Sequence, residues 1–396
     1  MTIHKKRRVI TAVLLAIGLL VLAGAIIYTM RPRYAYAPVT VTPKQPSSTT
    51  PVAANKEAPT LSVEKVISGL DHPWDITFLP GNAMLAAERD GTISSISSGN
   101  KQIVFSVPGV AAKGEAGLMG MVADIDYAKN NYVFTCYASA TDNDVRLVRW
   151  KYDGKSFTDK TAIVTGMPLN ATGRHSGCRP RMDTAGTLWV GTGDAAIGTN
   201  PQAPGSLGGK ILRIDRNGKA LEGNLKLPFD TRIYSYGHRN VQGIALFAKP
   251  VNGVAGLSVE HGSTKDDEVN KLVSGNAGWN PVPGYNEAVA MTDTTLYPDA
   301  LVPVWTSGDP TIAPSGATIL TGQQWKGWEG RMAMAVLKAK ELRIQAYDES
   351  QKLLSDDVFF EGQFGRLRSA VQGGDGNLYL TTDNGGDDAI IKVTPK

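Results

Sequence analysis

The fold is decided by a stretch that recurs along the chain, Gly186-Thr187-Leu188-Trp189-Val190-Gly191-Thr192-Gly193-Asp194. It starts with a turn residue, continues as a run of apolar β-formers and finishes on a polar end. The same pattern occupies residues 82–93 and 376–383, and strand-like runs follow at 210–214 and 390–393. Turn clusters that alternate with short β-type runs predict recurring antiparallel sheet units.

These units predict an all-β fold, and a six-bladed β-propeller over residues 59–396 fits them best. The chain has 43 glycines, and no long helical periodicity follows residue 30. Six units over that length give roughly 56 residues each, somewhat above the usual blade length. A seven- or eight-bladed ring and a pair of sandwiches are the alternatives. In a propeller, loops from all blades converge at one end of the channel, so distant residues can share a site.

The N-terminal residues predict a membrane anchor. A basic leader at 1–8 precedes an uncharged segment at 9–28, which as a helix is about 30 Å long and spans a bilayer. This transmembrane signal anchor predicts a body tethered on the periplasmic side of the inner membrane. The alternative is a signal peptide cleaved after Ala35-Tyr36-Ala37, with secretion to the periplasm. Residues 29–58, rich in Pro, Thr and Ser, are predicted to form a linker.

Charge and cysteine content exclude two classes of protein. The formal charge of +4 depends on six basic residues in the first 33 positions, and the other 35 basic and 37 acidic side chains leave −2. A nucleic-acid binder would keep a basic face on its folded part. Two cysteines, Cys136 and Cys178, are too few for a disulfide-rich scaffold or a four-thiolate zinc site. One bridge between adjacent blades and two buried free thiols both remain open.

His175 is the residue whose chemistry is easiest to interpret. It lies in a glycine-containing loop, Gly173-Arg174-His175-Ser176-Gly177, just before a predicted strand. Its ordinary pKa near 6.5 suits a general base. The alternative is a surface histidine without a catalytic role.

Motifs in a consistent order give the chain a resemblance to the soluble pyrroloquinoline quinone (PQQ)-dependent glucose/sorbosone and aldose sugar dehydrogenases, which are six-bladed propellers. The resemblance extends from about residue 69 to residue 396. Its landmarks are Gly69–Trp74, Gly114–Gly120, His175–Arg179, Tyr236–Asn240, Glu260–Gly262, Asp266–Asn270, Ile312–Gly316 and Arg366–Arg368.

The resemblance implies a role for His175 as the general base that takes the proton of the sugar C1 hydroxyl. It places Arg239 beside the quinone oxygen, where a guanidinium stabilises the charge that arrives with hydride, and Asn240 next to it. An arginine that only pairs with an acid is the alternative for Arg239.

The same resemblance implies a cofactor clamp. Lys338, Arg366 and Arg368 match ligands of the three PQQ carboxylates, and the i, i+2 spacing of the arginines puts them on one face of a strand. Exposed arginines on a strand are the alternative. Glu115 stands among the cofactor-binding positions where glucose dehydrogenases carry glutamine. Beside an anionic cofactor its carboxylate is expected to be protonated, or shared with calcium or an arginine.

Calcium is implied at two places. The carbonyls of Gly262 and Ser263 match those that hold the ion against the quinone, although a serine replaces the family's proline. Glu268 matches a ligand of a second, structural calcium; a solvated acidic loop is the alternative. The aromatic residue that the family has near this second site is replaced by Ala277.

Together these features predict a PQQ- and calcium-dependent dehydrogenase that oxidises an aldose at C1 to the lactone and passes electrons to an external acceptor. The sugar, the acceptor and the oligomeric state are not specified. Two other classes compete: a propeller lactonase, which needs a metal-centred carboxylate and asparagine set, and a non-catalytic glycan- or protein-binding propeller.

Overall fold

Antiparallel β-strands make up nearly all the regular structure in a computed structural model that describes residues 57–396. Its helical segments are short: α1 (Tyr127–Asn130) and two 3₁₀ turns, Pro80–Asn82 and Gln323–Trp328. The strands form six separate sheets. The predicted all-β class and six blades are confirmed.

The first three blades follow one another along the chain, each starting with its innermost strand. Blade 1 contains β2 (Pro73–Phe78), β3 (Met84–Glu88), β4 (Thr92–Ser97) and β5 (Asn100–Ser106). Blade 2 contains β6 (Leu118–Ala123), β7 (Tyr132–Ser139), β8 (Asp144–Tyr152) and β9 (Phe157–Met167). Blade 3 contains β10 (Gly177–Met182), β11 (Leu188–Thr192), β12 (Lys210–Ile214), β13 (Ile233–Tyr236) and the short parallel β17 (Gly275–Asn276).

The other three blades complete the circle. Blade 4 contains β14 (Val241–Val251), β15 (Val254–Glu260), β16 (Glu268–Lys271) and β18 (Trp305–Thr306). Blade 5 contains β19 (Pro314–Ile319), β20 (Met332–Val336), β21 (Glu341–Tyr347) and β22 (Leu353–Phe359). Blade 6 contains β23 (Leu367–Gln372), β24 (Leu378–Thr382), β25 (Asp388–Pro395) and β1 (Leu61–Leu70).

The ring is closed in two ways. Each innermost strand contacts the innermost strands of both neighbouring blades, and β23 of blade 6 contacts β2 of blade 1. The outer strand of blade 6 comes from the start of the described chain, where β1 pairs with β25 from Leu61↔Pro395 to Leu70↔Asp388. The two ends of the propeller therefore share one sheet, which leaves no open gap between first and last blade.

The recurring stretch of the sequence is the second strand of a blade. It forms β3, β11 and β24, and every residue of these strands is buried. A sheet covered on both faces by its neighbours needs apolar residues on both faces, which explains the continuous apolar runs. Six apolar clusters fill the interfaces, one between each pair of adjacent blades.

One arginine connects five blades. Arg179 on β10 is fully buried and donates to Oδ1 of Asp75 in blade 1 at 2.9 Å and to Oγ of Ser369 in blade 6 at 2.6 Å. It also donates to the carbonyl of Gln242 in blade 4 at 2.7 Å and contacts Oγ of Ser315 in blade 5 at 3.5 Å. The guanidinium thus ties innermost strands across the middle of the ring.

The two cysteines form a disulfide. Cys136 on β7 and Cys178 on β10 are joined with their Cα atoms 6.1 Å apart. The bridge links blades 2 and 3 and anchors the start of β10, three residues after His175.

The predicted leader, anchor and most of the linker lie outside the described residues. Between residues 57 and 396 no helix is long and apolar enough to cross a membrane.

Candidate active site

All of the residues singled out in the sequence lie at one end of the propeller. Neighbouring strands of a blade are antiparallel. One end of the propeller therefore receives, from each blade, the beginning of the first strand, the last residues of the second strand and the beginning of the third strand. The residues that occupy these positions are Glu115, His175, Arg239, Asn240, Gly262, Ser263, Glu268, Lys338, Arg366 and Arg368.

His175 is held by an aspartate and a tyrosine. Its Nδ1 lies 2.8 Å from Oδ1 of Asp194 and 2.9 Å from the hydroxyl of Tyr285, which donates to Oδ2 of Asp194 at 2.8 Å. The other donors to Asp194 are the indole of Trp279 at 2.9 Å and the N–H of Ala196 at 2.7 Å. Burial and the charge of Asp194 raise the pKa of Tyr285, so its hydroxyl stays a donor.

This arrangement assigns the histidine tautomer. Because Tyr285 donates its one proton to Asp194, the Nδ1 of His175 must be the donor toward the carboxylate. Nε2 is then an acceptor, and Nη2 of Arg174 lies 3.5 Å from it. An Nε2 that carries no proton is suited to take one.

The backbone of His175 is fixed as firmly as its ring. Its φ of 52° lies in the left-handed region, which a non-glycine residue adopts only when its surroundings demand it. Its N–H donates to Oε1 of Glu115 at 2.9 Å, and its carbonyl accepts the N–H of Ala195 at 3.1 Å. The unusual conformation directs the ring toward Asp194.

Glu115 acts as an acceptor at the centre of this end. Besides His175, the amides of Asn240 at 2.8 Å and Gln242 at 3.2 Å donate to its Oε2. Burial works to raise the pKa of Glu115, but the electrostatic interactions with His261 and His175 and these hydrogen bonds outweigh it, so its pKa lies below the ordinary value. Its hydrogen-bond donors are uncharged N–H groups, and no arginine of residues 57–396 bonds to it.

Arg239 is buried with an unused donor. Its Nη2 pairs with Glu287 at 2.6 Å and its Nη1 donates to the carbonyl of His261 at 3.2 Å, whereas Nε is buried without a partner. Glu287 also pairs with Arg174 at 2.8 Å, so it joins two guanidinium groups beside the histidine. Burial opposes ionisation of Glu287, but Arg239 and Arg174 hold its pKa below the ordinary value.

The predicted arginine pair meets at one residue. Arg368 is buried and donates through Nε and Nη2 to Oδ2 of Asp383, the first of these at 3.0 Å. Arg366 donates from Nε to the carbonyl of Asp383 at 3.1 Å. Lys338, in the neighbouring blade, is exposed and donates to Thr311 at 3.1 Å. The three cations therefore lie at the same end of blades 5 and 6.

Unpaired buried donors show what kind of molecule this end could hold. Among residues 57–396, Nε of Arg239 and Nε1 of Trp74 are buried N–H donors without partners. The guanidinium of Arg368 lies 5.4 Å from the centre of the Trp74 ring. Unused N–H groups beside cations fit an acceptor-rich anion, because an unsatisfied buried donor is costly. The chemistry of PQQ, with three carboxylates and quinone oxygens, fits this donor set.

The carbonyls of Gly262 and Ser263 are free to bind a cation. Among the described residues no hydrogen bond ends on either oxygen. The loop is fixed by Asp267, which accepts the N–H groups of Gly262, Ile312 and Ala313 at 2.8, 2.5 and 2.9 Å. These bonds substitute for the rigidity of the missing proline. Only glycine fits at 262, since a Cβ there would lie 2.2 Å from a neighbouring carbonyl.

Glu268 lies beside the buried carboxylate of Glu260. Burial, with the charge of Glu260, raises its pKa to about 8. Asn270 donates to both carboxylates, at 2.9 and 3.1 Å, and its own Oδ1 is buried without a partner. Two carboxylates and a free amide oxygen are donors that Ca²⁺ prefers. Ala277 is buried nearby in the chain and offers only backbone atoms.

Several residues of this site were not identified from the sequence: Asp194, Gln242, Tyr285, Glu287 and Asp383. A signal existed for two of them. The polar ends of the recurring strands are Glu88, Asp194 and Asp383, which the second strand of a blade delivers to the site end. Tyr285 and Glu287 lie in the long connection before β18, where the sequence carries no periodic pattern.

Comparisons with known proteins identify the family of this chain. The family model for glucose/sorbosone dehydrogenase matches residues 70–392. An uncharacterized protein of Synechocystis is 31% identical over 84% of this chain and 86% of its own length. The aldose sugar dehydrogenase of Escherichia coli is 28% identical over 85% of this chain and 94% of its own.

A solved structure extends the comparison to the fold. The PQQ-bound aldose sugar dehydrogenase of Streptomyces coelicolor superposes with a TM-score of 0.72 and 31% identity, over 86% of this chain and 100% of the other. The residues matched by the family model, 70–392, include all of the site residues named above. The chain belongs to the glucose/sorbosone dehydrogenase family.

Proposed function

We propose that this protein is a quinoprotein that oxidises an aldose at C1 to the lactone, using PQQ and calcium and passing electrons to an external acceptor. One observation carries the proposal. A histidine base held by Asp194 lies at the same end of the propeller as unpaired buried donors and cations that fit PQQ.

His175 is the proton acceptor in this mechanism. Asp194 and Tyr285 keep the proton on Nδ1, so Nε2 takes the proton of the sugar C1 hydroxyl. The imidazolium that forms is stabilised by the Asp194 carboxylate without proton transfer to it. PQQ, when bound, supplies the acceptor for the hydride that leaves C1.

The remaining residues would bind the cofactor and calcium and stabilise the negative charge that develops on the cofactor. Arg239 carries a fixed positive charge and a free Nε where negative charge develops, and Asn240 lies beside it. Arg366, Arg368 and Lys338 would hold PQQ carboxylates. The carbonyls of Gly262 and Ser263 would hold Ca²⁺ against the cofactor, and Glu268 would hold a second calcium.

The geometry favours this function over the two competing classes. A lactonase built on a metal-bound carboxylate and asparagine set would have no use for Lys338, Arg366 and Arg368, the three cations at this end of blades 5 and 6. A non-catalytic binding propeller that had lost its cofactor site would not be expected to retain buried donors without partners.

Reconstitution tests the function. The full chain, purified without cofactor in a mild detergent, is titrated with PQQ with and without Ca²⁺, and dye reduction is followed over a panel of aldoses. We expect activity only with aldose, PQQ and Ca²⁺ together. Absence of PQQ binding refutes the quinoprotein assignment, and PQQ binding without oxidation of any aldose refutes the substrate class.

His175→Gln is the matched variant. It keeps a hydrogen-bonding side chain but cannot accept the proton, so turnover should fall by about 10²–10⁴-fold, the usual worth of a general base. PQQ affinity should stay unchanged, because the histidine is not part of the clamp. Turnover near that of the wild type contradicts the assigned base.

The export proposal concerns the same chain. We propose that residues 9–28 anchor the propeller on the periplasmic side, or that they are removed during secretion. The Cys136–Cys178 bridge supports an oxidising compartment. Protease treatment of spheroplasts and the mass of the isolated chain test location and cleavage, and a protected propeller contradicts export.

A further inference from the structure

A long connection carries the partner of the histidine. Residues 193–209 join β11 to β12, with Asp194 near the beginning and Lys210 immediately after the end. The corresponding connections are much shorter in blade 1, from Glu88 to Thr92, and in blade 6, from Thr382 to Asp388. Neither contains a lysine. Pairing of the second and third strands therefore does not require one.

Lys210 is fully buried and bound by backbone alone. Its Nζ donates to the carbonyls of Asn200 at 2.6 Å, Pro201 at 3.0 Å and Gly208 at 2.7 Å. Among residues 57–396 no carboxylate forms a salt bridge with it. Buried lysines are rare without an anionic partner. Three converging carbonyls are instead what a protein offers to a hard metal cation.

The protonated form fits this cradle. Three acceptors match the three N–H groups of an ammonium, whereas a neutral amine would leave one carbonyl without a donor. Burial lowers the pKa of Lys210 to about 7, and the charge of Asp194 opposes that effect. The ammonium also offsets the mutual repulsion of carbonyl dipoles that point at one place.

The cradle is connected to Asp194 through Asn200. The carbonyl of Asn200 accepts from Lys210, and its side-chain amide donates to the carbonyl of Asp194 at 2.9 Å. Ser206 donates to the other end of that amide at 3.0 Å, which fixes its orientation. Loss of the Lys210 ammonium would therefore affect the backbone of Asp194 through a single residue, Asn200.

We propose that Lys210 is a positioning residue for the catalytic base. Its ammonium shapes the connection 193–209 so that Asp194 meets Nδ1 of His175 and leaves Nε2 as the acceptor. The proposal rests on the proposed function for its catalytic consequence, whereas the tautomer it enforces exists without cofactor.

Histidine NMR on the cofactor-free full chain tests it. The chain has five histidines, so selective ¹⁵N labelling gives few signals, and His175→Gln assigns the one of interest. The wild type should show the Nδ1–H tautomer, and Lys210→Met should populate Nε2–H. In the reconstituted enzyme Lys210→Met should lower kcat by roughly 10²-fold, the cost of a misplaced catalytic group, with PQQ affinity unchanged.

Two further variants make the outcome decisive. Lys219→Met removes an exposed lysine of the same blade and should change neither readout. Asn200→Ala keeps the carbonyl cradle but breaks the connection to Asp194, and should shift the tautomer even if Lys210→Met does not fold.

Each result decides one question. A folded Lys210→Met with the wild-type tautomer and kcat overturns the positioning role, and so does an unchanged tautomer in Asn200→Ala. If the wild type has the Nδ1–H tautomer and the variants lose it, but no aldose is oxidised, the positioning holds and the proposed function fails.

Discussion

Replacing Arg179 by methionine should destabilise the propeller without disturbing its surface. The guanidinium is fully buried and bonds to Asp75, Ser369 and the carbonyl of Gln242 at 2.9, 2.6 and 2.7 Å. Methionine has a similar reach but no donor, so the carbonyl loses its partner. Ser369 keeps bonds to Asp75 and the carbonyl of Trp74, at 2.8 and 3.2 Å.

The magnitude follows from what Asp75 retains. Arg181 still pairs with it at 2.8 and 3.0 Å, and the N–H of Met121 still donates at 3.1 Å. Breaking a buried pair costs about 3–5 kcal/mol, and the remaining arginine places this case at about 3 kcal/mol. With an unfolding entropy of roughly 2.1 cal/mol/K per residue over some 340 residues, Tm should fall by about 4 °C.

Urea and thermal unfolding, followed by tryptophan fluorescence and circular dichroism, measure the change. Arg213→Met is the control, because Arg213 is half-buried on β12, the third strand of the same blade, and its loss should cost less than about 1 kcal/mol. Stability of Arg179→Met equal to the wild type refutes the reasoning, since it would mean that the desolvation cost of the guanidinium cancels all of its bonds.

Three further predictions concern the bridge, the clamp and acid. Removing the disulfide with Cys136→Ser and Cys178→Ser should lower the free energy of unfolding by about 4 kcal/mol, because the bridge closes a loop with a sequence separation of 42 and limits the unfolded chain. Urea unfolding measures the change, and an unchanged midpoint contradicts the prediction. Arg366→Ala and Arg368→Ala should each weaken PQQ binding about 10- to 100-fold, the worth of a charge-assisted bond, measured by fluorescence titration, and unchanged affinity contradicts the clamp. Burial works to raise the pKa of Asp75, but Arg181 and Arg179 hold it below 3.8. Its stabilisation is therefore complete above pH 3.8 and lost as the pH falls through the lowered value. Asp75→Asn should unfold more easily at pH 7 and lose stability less steeply in acid, and an identical acid profile contradicts this.

The sequence predicted those residues of the site that lie in the motifs shared with the dehydrogenase family. His175, Arg239 and the arginines of β23 occur at the starts of innermost strands, and the order of blades brings those starts together. The partner of His175 was not predictable in the same way. Asp194 is the polar end of a recurring strand, and Tyr285 lies 110 residues from the histidine it contacts. Nothing local in the sequence marks either as its neighbour.

Glu115 shows what the local sequence leaves open about a residue's surroundings. From the sequence alone, a carboxylate next to an anionic cofactor is expected to be protonated, or shared with calcium or an arginine. The fold instead surrounds it with N–H donors from three other positions in the chain, His175, Asn240 and Gln242. Those donors stabilise the ionised form in place, and they come from two other blades.

The amino-acid pattern alone predicted the strands, favoured six blades and placed the loops that carry the site at one end of the channel. These depend on short apolar β-type runs and turn clusters, which are local, and on antiparallel connectivity, which fixes where each strand ends. Only the tertiary structure decided which side chains meet: Arg179 with four other blades, Lys210 with its carbonyl cradle, and Asp194 with the histidine. Such contacts join residues far apart in the chain through loop conformation and blade packing, which strand periodicity does not specify.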